Sequence, residues 1–256
     1  MNALTIKDLC KTYIVNKRQN NVLRNINMEI AEGEMVAVMG PSGSGKSTLL
    51  YTVSGMDVMT AGRVSFFGQD LGSLSPAEMS RLRLTEMGFI FQQMYLLKNL
   101  SIYDNIILPA FQSAQGKGRE RRRQINERAR QLMHKLGIVE VAEHDINEVS
   151  GGQLQRACIC RSLINEPRMI FADEPTGALN QQNSRAVMKE LNRINGEGTT
   201  IMLVTHDRNV AARSDRVLYI EDGRIKGEYV LGKFGGGEET RQRERKISDW
   251  LMEMGF

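Results

Sequence analysis

The sequence is poor in cysteine, proline and tryptophan. Its 256 residues include three cysteines, five prolines and one tryptophan. Cys10, Cys158 and Cys160 lack the number and spacing of a disulfide framework or a zinc site, which excludes the small disulfide-stabilised class and favours a reducing compartment. Cys158 and Cys160 lie two positions apart in a predicted helix, so their side chains diverge, and we expect both in a core or an interface.

Long apolar runs are also absent. No stretch of about 18 consecutive apolar residues occurs, so we predict no membrane-spanning helix. Residues 1–9 mix polar and apolar residues without a sustained apolar stretch, so we predict no signal peptide. Any work at a membrane would then need a membrane-spanning partner.

An excess of one charge sign is nearly absent as well, because the formal net charge is only +4. The basic excess is concentrated in residues 119–123 and 241–246, which are interleaved with glutamate in predicted exposed helices. Such blocks usually form solvated helix faces, and binding to nucleic acid or an anionic membrane remains the alternative. With 41% hydrophobic and 25% charged residues, the composition is that of a globular protein of one or two domains.

The spacing of apolar residues predicts an α/β protein. Residues 4–9 and 22–30 alternate as half-buried strands do, and residues 35–39 form an apolar run bounded by glycines. Buried strands are predicted again at residues 169–172, 200–204 and 217–220. Between these two groups of strands the pattern is mainly helical, with apolar residues at three- and four-residue steps: Ile125, Ala129, Leu132, Met133 and Leu136. This order predicts a parallel sheet with a helical insertion.

The pattern weakens after Gly227. We interpret Gly235, Gly236 and Gly237 as a flexible joint before a final helix. That helix places a set of apolar residues on one face: Ile247, Trp250, Leu251 and Met254. We expect this face to pack on the body of the protein, with docking onto a partner as the alternative.

A glycine-rich turn between a predicted strand and a predicted helix fits the nucleotide-binding loop pattern. Its residues are Gly40, Pro41, Ser42, Gly43, Ser44, Gly45, Lys46 and Ser47, followed by Thr48. Glycines allow backbone N–H groups to converge on phosphates, and the start of the helix adds partial positive charge. Lys46 would add a full charge at the β- and γ-phosphates, and the Ser47 hydroxyl would bind Mg²⁺.

Two acids directly follow the predicted strand at residues 169–172. Asp173 would hold Mg²⁺ through water, and Glu174 would polarise an attacking water as a general base. Acids follow strands by chance in many proteins. Together with the glycine-rich loop, however, they predict a site of phosphoryl transfer.

A second small-residue segment precedes a long predicted helix, where backbone N–H groups could bind an anion. It contains Ser150, Gly151, Gly152 and Gln153. This segment resembles the signature sequence of ABC transporter ATPase subunits. The resemblance implies that the signature of one copy covers the ATP held by the phosphate loop of another, in a head-to-tail dimer with two ATP molecules between the copies.

Other positions match the same family. Tyr13 resembles the aromatic residue that stacks on adenine, Gln92 the glutamine that touches Mg²⁺ and senses the membrane partner, and His206 the histidine that contacts the γ-phosphate. Two positions depart from the family pattern. Asn180 stands where aspartate is usual, which puts coupling between the two ATP sites in doubt, and Val149 stands where leucine is usual, a volume change we expect to be harmless.

The resemblance implies the fold of a P-loop NTPase. We therefore expect a RecA-like parallel sheet core, an N-terminal antiparallel β subdomain and an inserted helical subdomain at about residues 93–165. The ATPase domain would cover residues 1–227, and residues 228–256 would form an extension with a short amphipathic helix. The implied cofactors are ATP and Mg²⁺, and the implied catalytic residues are Lys46, Glu174 and His206.

Residues 74–83 and 88–94 resemble the branch of macrolide exporters and lipoprotein-release ATPases. Residues 95–100 and 104–106, with Asn180, are similar to bacitracin-type antimicrobial peptide transporters of bacteria. This similarity implies a separate permease, a position at the cytoplasmic face of the plasma membrane and a role in peptide export or resistance, with no nucleic-acid partner. The alternatives are a soluble ABC ATPase acting on ribosomes or nucleic acid, and the ATPase of a lipoprotein-release or cell-division complex.

Overall fold

A computed structural model describes residues 1–113, 118–177, 179–236 and 239–255. An antiparallel sheet is formed mainly by the N-terminal strands, in the order β2-β1-β4-β5. The bounds of its strands are β1 Asn2–Val15, β2 Arg18–Ala31, β4 Ala61–Phe66 and β5 Gln69–Asp70. Every second residue in a strand points to one side, and Ile26, Met28 and Ile30 of β2 are buried on the core in this way. Leu23 is buried too, because an irregularity in the pairing with β1 between Leu23 and Ile26 shifts the alternation.

A mixed sheet forms the centre of the protein, in the order β10-β9-β3-β8-β7-β6. The bounds of its strands are β3 Met35–Met39, β6 Met87–Ile90, β7 Met169–Asp173, β8 Thr200–Val204, β9 Arg216–Glu221 and β10 Arg224–Val230. Neighbouring strands from β9 to β6 run parallel, and β10 is antiparallel to β9. All residues of β3, β7 and β8 are buried because both faces of the sheet are covered.

The two faces of this sheet belong to two different cores. Met35, Ala37 and Met39 pack into one core with the helices, whereas Val36 and Val38 pack into the other with the antiparallel sheet. The period of two along a strand therefore divides β3 between both cores. The loop that follows β3 starts at the carboxyl end of a rigid central strand.

The helices lie between and beside these strands. Their bounds are α1 Lys46–Val53, α2 Pro76–Glu86, α3 Ile102–Ser113, α4 Arg119–Lys135, α5 Gly151–Leu163, α6 Gln181–Gly196, α7 Arg208–Ala211 and α8 Thr240–Glu253. The apolar positions predicted along the fourth helix are all buried in the core that covers the helical face of the sheet. Cys158 and Cys160 are also buried, on α5, which confirms their predicted place in a core.

Strand β6 is the main departure from the predicted pattern. The sequence favours helix throughout residues 75–148, but the structure places Met87–Ile90 in the central sheet, parallel to β7. A four-residue apolar strand carries too little pattern to be separated from the helices on either side. Strands β4, β5 and β10 were not predicted either, since they are short or alternate weakly.

The C-terminal helix packs back on the body, as its apolar face predicts. Ile247 and Leu251 are fully buried, and the Trp250 ring lies with its centroid 5.6 Å from that of Tyr229. Strand β10 begins before the predicted domain boundary at residue 227 and ends after it. The division of the chain into a domain and an extension stays a prediction. Gly237 of the predicted joint lies outside the described residues.

Within the residues that the structure describes, none of the helices combines the length and the apolarity needed to cross a bilayer.

Candidate nucleotide-binding site

The glycine-rich loop joins β3 to α1 in a conformation that requires glycine. A Cβ atom on Gly40 would lie 2.0 Å from the backbone oxygen of Ile220, and Gly45 adopts φ 101° at the N-cap of α1. No side chain caps this helix start. Its first N–H groups are therefore free for an anion, which is the arrangement expected of a phosphate-binding loop.

Lys46 points back over this loop. Its Nζ donates to the backbone oxygens of Gly40 at 2.9 Å and Pro41 at 2.7 Å. Burial lowers the pKa of Lys46, and the nearby carboxylates Glu174 and Asp173 act in the opposite direction. The ammonium thus lies where an incoming phosphate could replace the two carbonyl oxygens as its partner.

Asp173 ends β7 beside the first turn of α1. Its Oδ1 accepts from the Ser47 hydroxyl at 2.9 Å, and its Oδ2 accepts from the Tyr51 hydroxyl at 2.7 Å. Burial, together with this hydrogen bond to Asp173, raises the pKa of Tyr51. The sequence analysis missed Tyr51, although its position four residues after Ser47 places it on the same side of α1.

Glu174 and His206 form a pair at the ends of two neighbouring strands. Glu174 Oε1 lies 2.8 Å from His206 Nδ1, and Thr205 Oγ1 donates to Glu174 Oε2 at 3.4 Å. The Glu174 side chain is 13% exposed and that of His206 is 68% exposed, so the pair opens to solvent on the histidine side. Glu174 also adopts φ 46°, a left-handed conformation that costs a non-glycine residue about 1 kcal/mol or more.

Gln92 lies close to the turn that carries Glu174. A Cβ atom added to Gly177 would be 3.5 Å from Gln92 Nε2 and 3.4 Å from Glu174 Cβ. The structure therefore brings together the phosphate loop, the two acids, Gln92 and His206. The chemical roles assigned to these residues from the sequence stay predictions.

Tyr13 lies on β1 and is 36% exposed. Its hydroxyl donates to Asp57 Oδ2, and the ammonium of Lys11 lies 4.6 Å from its ring centroid. Lys11 itself is almost buried and pairs with Asp57 Oδ1 at 2.6 Å. Burial alone would raise the pKa of Asp57, but hydrogen bonds from Lys11 and Tyr13 outweigh burial and hold that pKa below its ordinary value.

The signature segment forms the start of α5 and does not share these contacts. Ser150 and Gln153 form a capping box, in which Ser150 Oγ accepts from Gln153 N at 3.3 Å and Gln153 Oε1 accepts from Ser150 N at 2.8 Å. Gly151 is exposed, and a Cβ atom there would meet nothing within 4 Å. The segment thus presents an open helix start on the surface.

The two positions that depart from the family pattern have clear structural settings. The Asn180 side chain caps α6 by accepting from Asn183 N at 2.9 Å, a role that aspartate would also fill. Val149 is partly buried against the helical core, as the leucine it replaces would be. Ala178, in the same loop as Asn180, lies outside the described residues.

The residues present fit a nucleoside triphosphate and a hard divalent cation. The uncapped start of α1 offers N–H donors, and the hydroxyl of Ser44 in the same loop is buried without a partner among the described residues. Ser47, Asp173 and Gln92 offer hydroxyl, carboxylate and amide oxygens, the ligand types that Mg²⁺ takes. These observations define the class of protein as a P-loop nucleotide-binding protein.

Comparison with known proteins identifies the family. A family model described as ABC transporter matches residues 23–177. The chain is 41% identical over 222 residues to the uncharacterized ABC transporter ATP-binding protein YknY of Bacillus subtilis (strain 168), which covers 87% of this chain and 94% of that protein. The chain belongs to the ABC transporter family. This result confirms the predicted family and, with it, the enzyme class of an ABC ATPase.

Relatives named macrolide export ATP-binding/permease protein MacB support the predicted branch. That of Bdellovibrio bacteriovorus is 37% identical over 249 residues, which cover 96% of this chain and 37% of that protein. That of Psychrobacter arcticus is 41% identical over 227 residues, which cover 88% and 33%. The chain therefore spans only about a third of the length of these two relatives.

Solved structures confirm the fold. A dimeric post-hydrolysis state of the ATP-binding cassette MJ0796 bound to ADP and Pi has a TM-score of 0.80 and 37% identity, covering 90% of this chain and 100% of that one. A second dimeric structure of MJ0796 gives a TM-score of 0.81 at 38% identity, with the same coverage. The predicted P-loop fold with its two sheets and helical insertion is thus confirmed.

Proposed function

We propose that this chain is the ATP-hydrolysing subunit of a bacterial ABC transporter that exports, or gives resistance to, antimicrobial peptides. The observation that carries the hydrolytic part is the convergence of Lys46, Asp173, Glu174 and His206 on one uncapped helix start. Each residue has a distinct task in that arrangement. The transport part depends on the surfaces around this site.

Binding of ATP would use Tyr13 and the phosphate loop. Tyr13 is held by Asp57 in a partly exposed position where one ring face could stack on adenine. The β- and γ-phosphates would take the place of the carbonyl oxygens that Lys46 now contacts. Ser47, Asp173 and Gln92 would hold Mg²⁺, which would neutralise charge on the β- and γ-phosphates.

Glu174 would accept a proton from the attacking water as the water oxygen bonds to the γ-phosphorus. The bond to the β-phosphate oxygen then breaks, which yields ADP and phosphate. His206, which contacts Glu174 through Nδ1, keeps its other ring nitrogen for the γ-phosphate. Lys46 and the α1 N–H groups stabilise the charge on the transferred group in the transition state.

A second copy of the chain would complete the site. Gly151 lies at an exposed helix start, where its N–H group suits an anion because the capping box of Ser150 and Gln153 engages the N–H groups of those two residues only. The chain's own phosphate loop already offers one such anion site. Two helix starts that face one ATP from opposite sides explain why both are present. The two MJ0796 structures, both described as dimeric, support the pairing of two copies.

A permease would dock beside Gln92. A cavity of about 390 Å³ lies between α2, α3 and α5, and its lining includes the aromatic residues Phe89, Phe91 and Tyr95. Tyr95 is 63% exposed and packs edge-on against Phe91, so its ring offers accessible aromatic surface at this cavity. A helix of a membrane partner that inserts here would contact the segment next to Gln92, at the cytoplasmic face of the membrane.

The peptide-transporter role draws support from residues 95–106. Asn105 is buried, and its side chain bonds the backbone of Leu97, Leu100 and Ser101. These bonds fix the loop whose sequence is similar to that of bacitracin-type transporters, next to the proposed permease cavity. Because two relatives are named for macrolide export, a macrolide is the second candidate substrate class.

Co-purification with a permease, followed by ATPase measurement, tests this function. A membrane-spanning protein encoded next to this gene would be co-expressed with the chain as the candidate permease, and turnover would be measured with bacitracin and, separately, with erythromycin. We expect a stable complex whose turnover rises with the peptide and is abolished by Glu174→Gln. Stimulation by the macrolide alone would replace the peptide assignment, and co-purification of ribosomes or DNA without a permease would contradict the transporter role.

A further inference from the structure

Arg243 of α8 is a buried charged residue with an unusual set of partners. It is 4% exposed. Its guanidinium donates to four backbone oxygens: those of Ala212 at 2.8 Å, Ser214 at 2.6 Å, Gly232 at 2.9 Å and Lys233 at 3.1 Å. Burying a guanidinium is costly unless its donors are matched. These contacts therefore fix α8 to the backbone that it faces.

Two of these oxygens belong to the end of α7. Ala212 is the C-cap of that helix, and Ser214 follows two residues later. Carbonyl groups at a helix end lack partners within the helix and carry partial negative charge, so a cation is favoured there. Arg243 thus holds the C-terminal end of a short helix whose N-cap, Asp207, directly follows His206.

The N-terminal end of α7 is linked by hydrogen bonds to Glu174, the proposed general base. Asp207 caps α7, and its N–H donates to Thr205 Oγ1 at 3.0 Å. The same hydroxyl donates to Glu174 Oε2. One segment of about ten residues therefore runs from the Glu174–His206 pair to the carbonyls that Arg243 binds.

The position of α8 is itself firmly set. A Cβ atom on Gly227 would lie 2.9 Å from Met254 Cε and 3.0 Å from Trp250 Cζ2, so the helix packs directly on the backbone of β10. On its other side, α8 borders a cavity of about 690 Å³. That cavity is lined by both Glu174 and His206, together with Arg241 and Glu244 of α8.

We propose that Arg243 is a positioning residue for ATP hydrolysis. It fixes the backbone after His206 and so holds the His206 side chain within hydrogen-bond distance of Glu174. The C-terminal helix then contributes to turnover through the backbone that follows His206. This inference rests on the proposed function, because it assigns the chemistry to Glu174 and His206. A displacement of about 1 Å at such a pair can cost up to about 100-fold in rate.

The test compares three variants of the full chain. Arg243→Gln removes the charge and most donors, and we expect kcat to fall about tenfold or more while the KM for ATP changes by less than about twofold. Arg243→Lys keeps the charge and should recover part of the loss. The matched control is Arg245→Gln, an exposed arginine on the same helix, which should leave kcat unchanged.

A double-mutant cycle separates positioning from general stability. If Arg243 acts through His206, then Arg243→Gln should cause no further loss of kcat in a His206→Ala background. The proposal would be overturned if the double variant lost kcat by the product of the two single losses. It would also be overturned if Arg243→Gln and Arg243→Lys lowered Tm but left kcat unchanged. If His206→Ala alone leaves turnover intact, the assignment of the catalytic pair fails, and this outcome is distinct from a failure at Arg243.

Discussion

The phosphate-loop region and the signature region differ in how complete they are within one chain. Around the phosphate loop, side chains from distant parts of the sequence are joined by hydrogen bonds. Ser47 bonds to Asp173, and Glu174 contacts His206. In the signature region, Ser150 and Gln153 bond only locally, and Gly151 faces open space. One half of the proposed ATP site is preorganised, and the other half is exposed at the surface, where the proposed second copy would meet it.

This difference predicts two kinds of defect. A change in the phosphate-loop region should damage chemistry within the chain that carries it. A change in the signature region should leave that chain folded and able to bind ATP, yet block turnover at its partner's site. The following variants are ordered from the largest expected effect to the smallest.

Glu174→Gln should have the largest effect. The amide keeps the size of the side chain but cannot accept the proton of water, so we expect kcat to fall about 10³-fold. ATP binding should persist and leave a stable dimer, which gel filtration with ATP would detect. Turnover near the parent rate would contradict the role of Glu174 as general base.

Gly151→Asp tests the signature half. A Cβ atom at this position meets nothing within 4 Å, and a carboxylate is favourable at a helix start, so the fold should tolerate the change. It would repel the phosphates of a partner's ATP, and we expect kcat to fall about 100-fold with ATP affinity of the monomer unchanged. Gly151→Ala is the control, because it adds volume without charge and should cost far less.

Asp57→Asn tests the support of Tyr13. Loss of the carboxylate leaves Lys11 almost buried without its ionic partner, which we expect to lower the free energy of unfolding by about 2 kcal/mol at neutral pH. The pKa of Asp57 is lower in the folded protein than in the unfolded chain. Its contribution to the free energy of unfolding is therefore complete above the ordinary carboxyl pKa of about 4, and it is lost as the pH falls through the folded pKa. Urea unfolding of parent and variant should therefore differ at neutral pH and converge in acid.

Asn180→Asp should have the smallest effect. Both side chains can cap α6, and the added charge lies at a helix start, so we expect a gain of about 0.5 kcal/mol in stability. Asn180→Ala is the matched control and should lose about 1 kcal/mol with the cap. Urea unfolding measures both changes, and a destabilised aspartate variant would show that other carboxylates surround this position.

Local patterns in the sequence predicted much of this site. The strand, glycine turn and helix around Lys46 follow one another within about 20 residues, and the acids directly follow a buried strand, so neighbouring residues determine the geometry. The amphipathic spacing of Ile247 and Leu251 likewise predicted that α8 packs back on the body. Each of these local motifs can be recognised by itself, whereas the hydrogen bonds that join them, such as that of Ser47 with Asp173 across 126 residues, form only when the sheet assembles.

Other contacts could not be predicted, because their partners are far apart in the chain. Lys11 and Asp57 are separated by 46 residues, and Arg243 binds Ala212 across 31. Strand β6 belongs to the sheet only because β7 lies beside it. Such positions depend on how the elements assemble, which the spacing of apolar residues does not encode.

Mixing two inactive variants tests the composite site most directly. Glu174→Gln and Gly151→Asp chains would be combined before ATP is added, so that half of the dimers contain one of each. In these mixed dimers one site has an intact Glu174 and faces an intact signature, and random pairing should restore about a quarter of parental turnover. A chain that carries both substitutions, mixed with Glu174→Gln, is the control and should stay inactive. A mixture that forms dimers yet remains as inactive as its components would contradict the account.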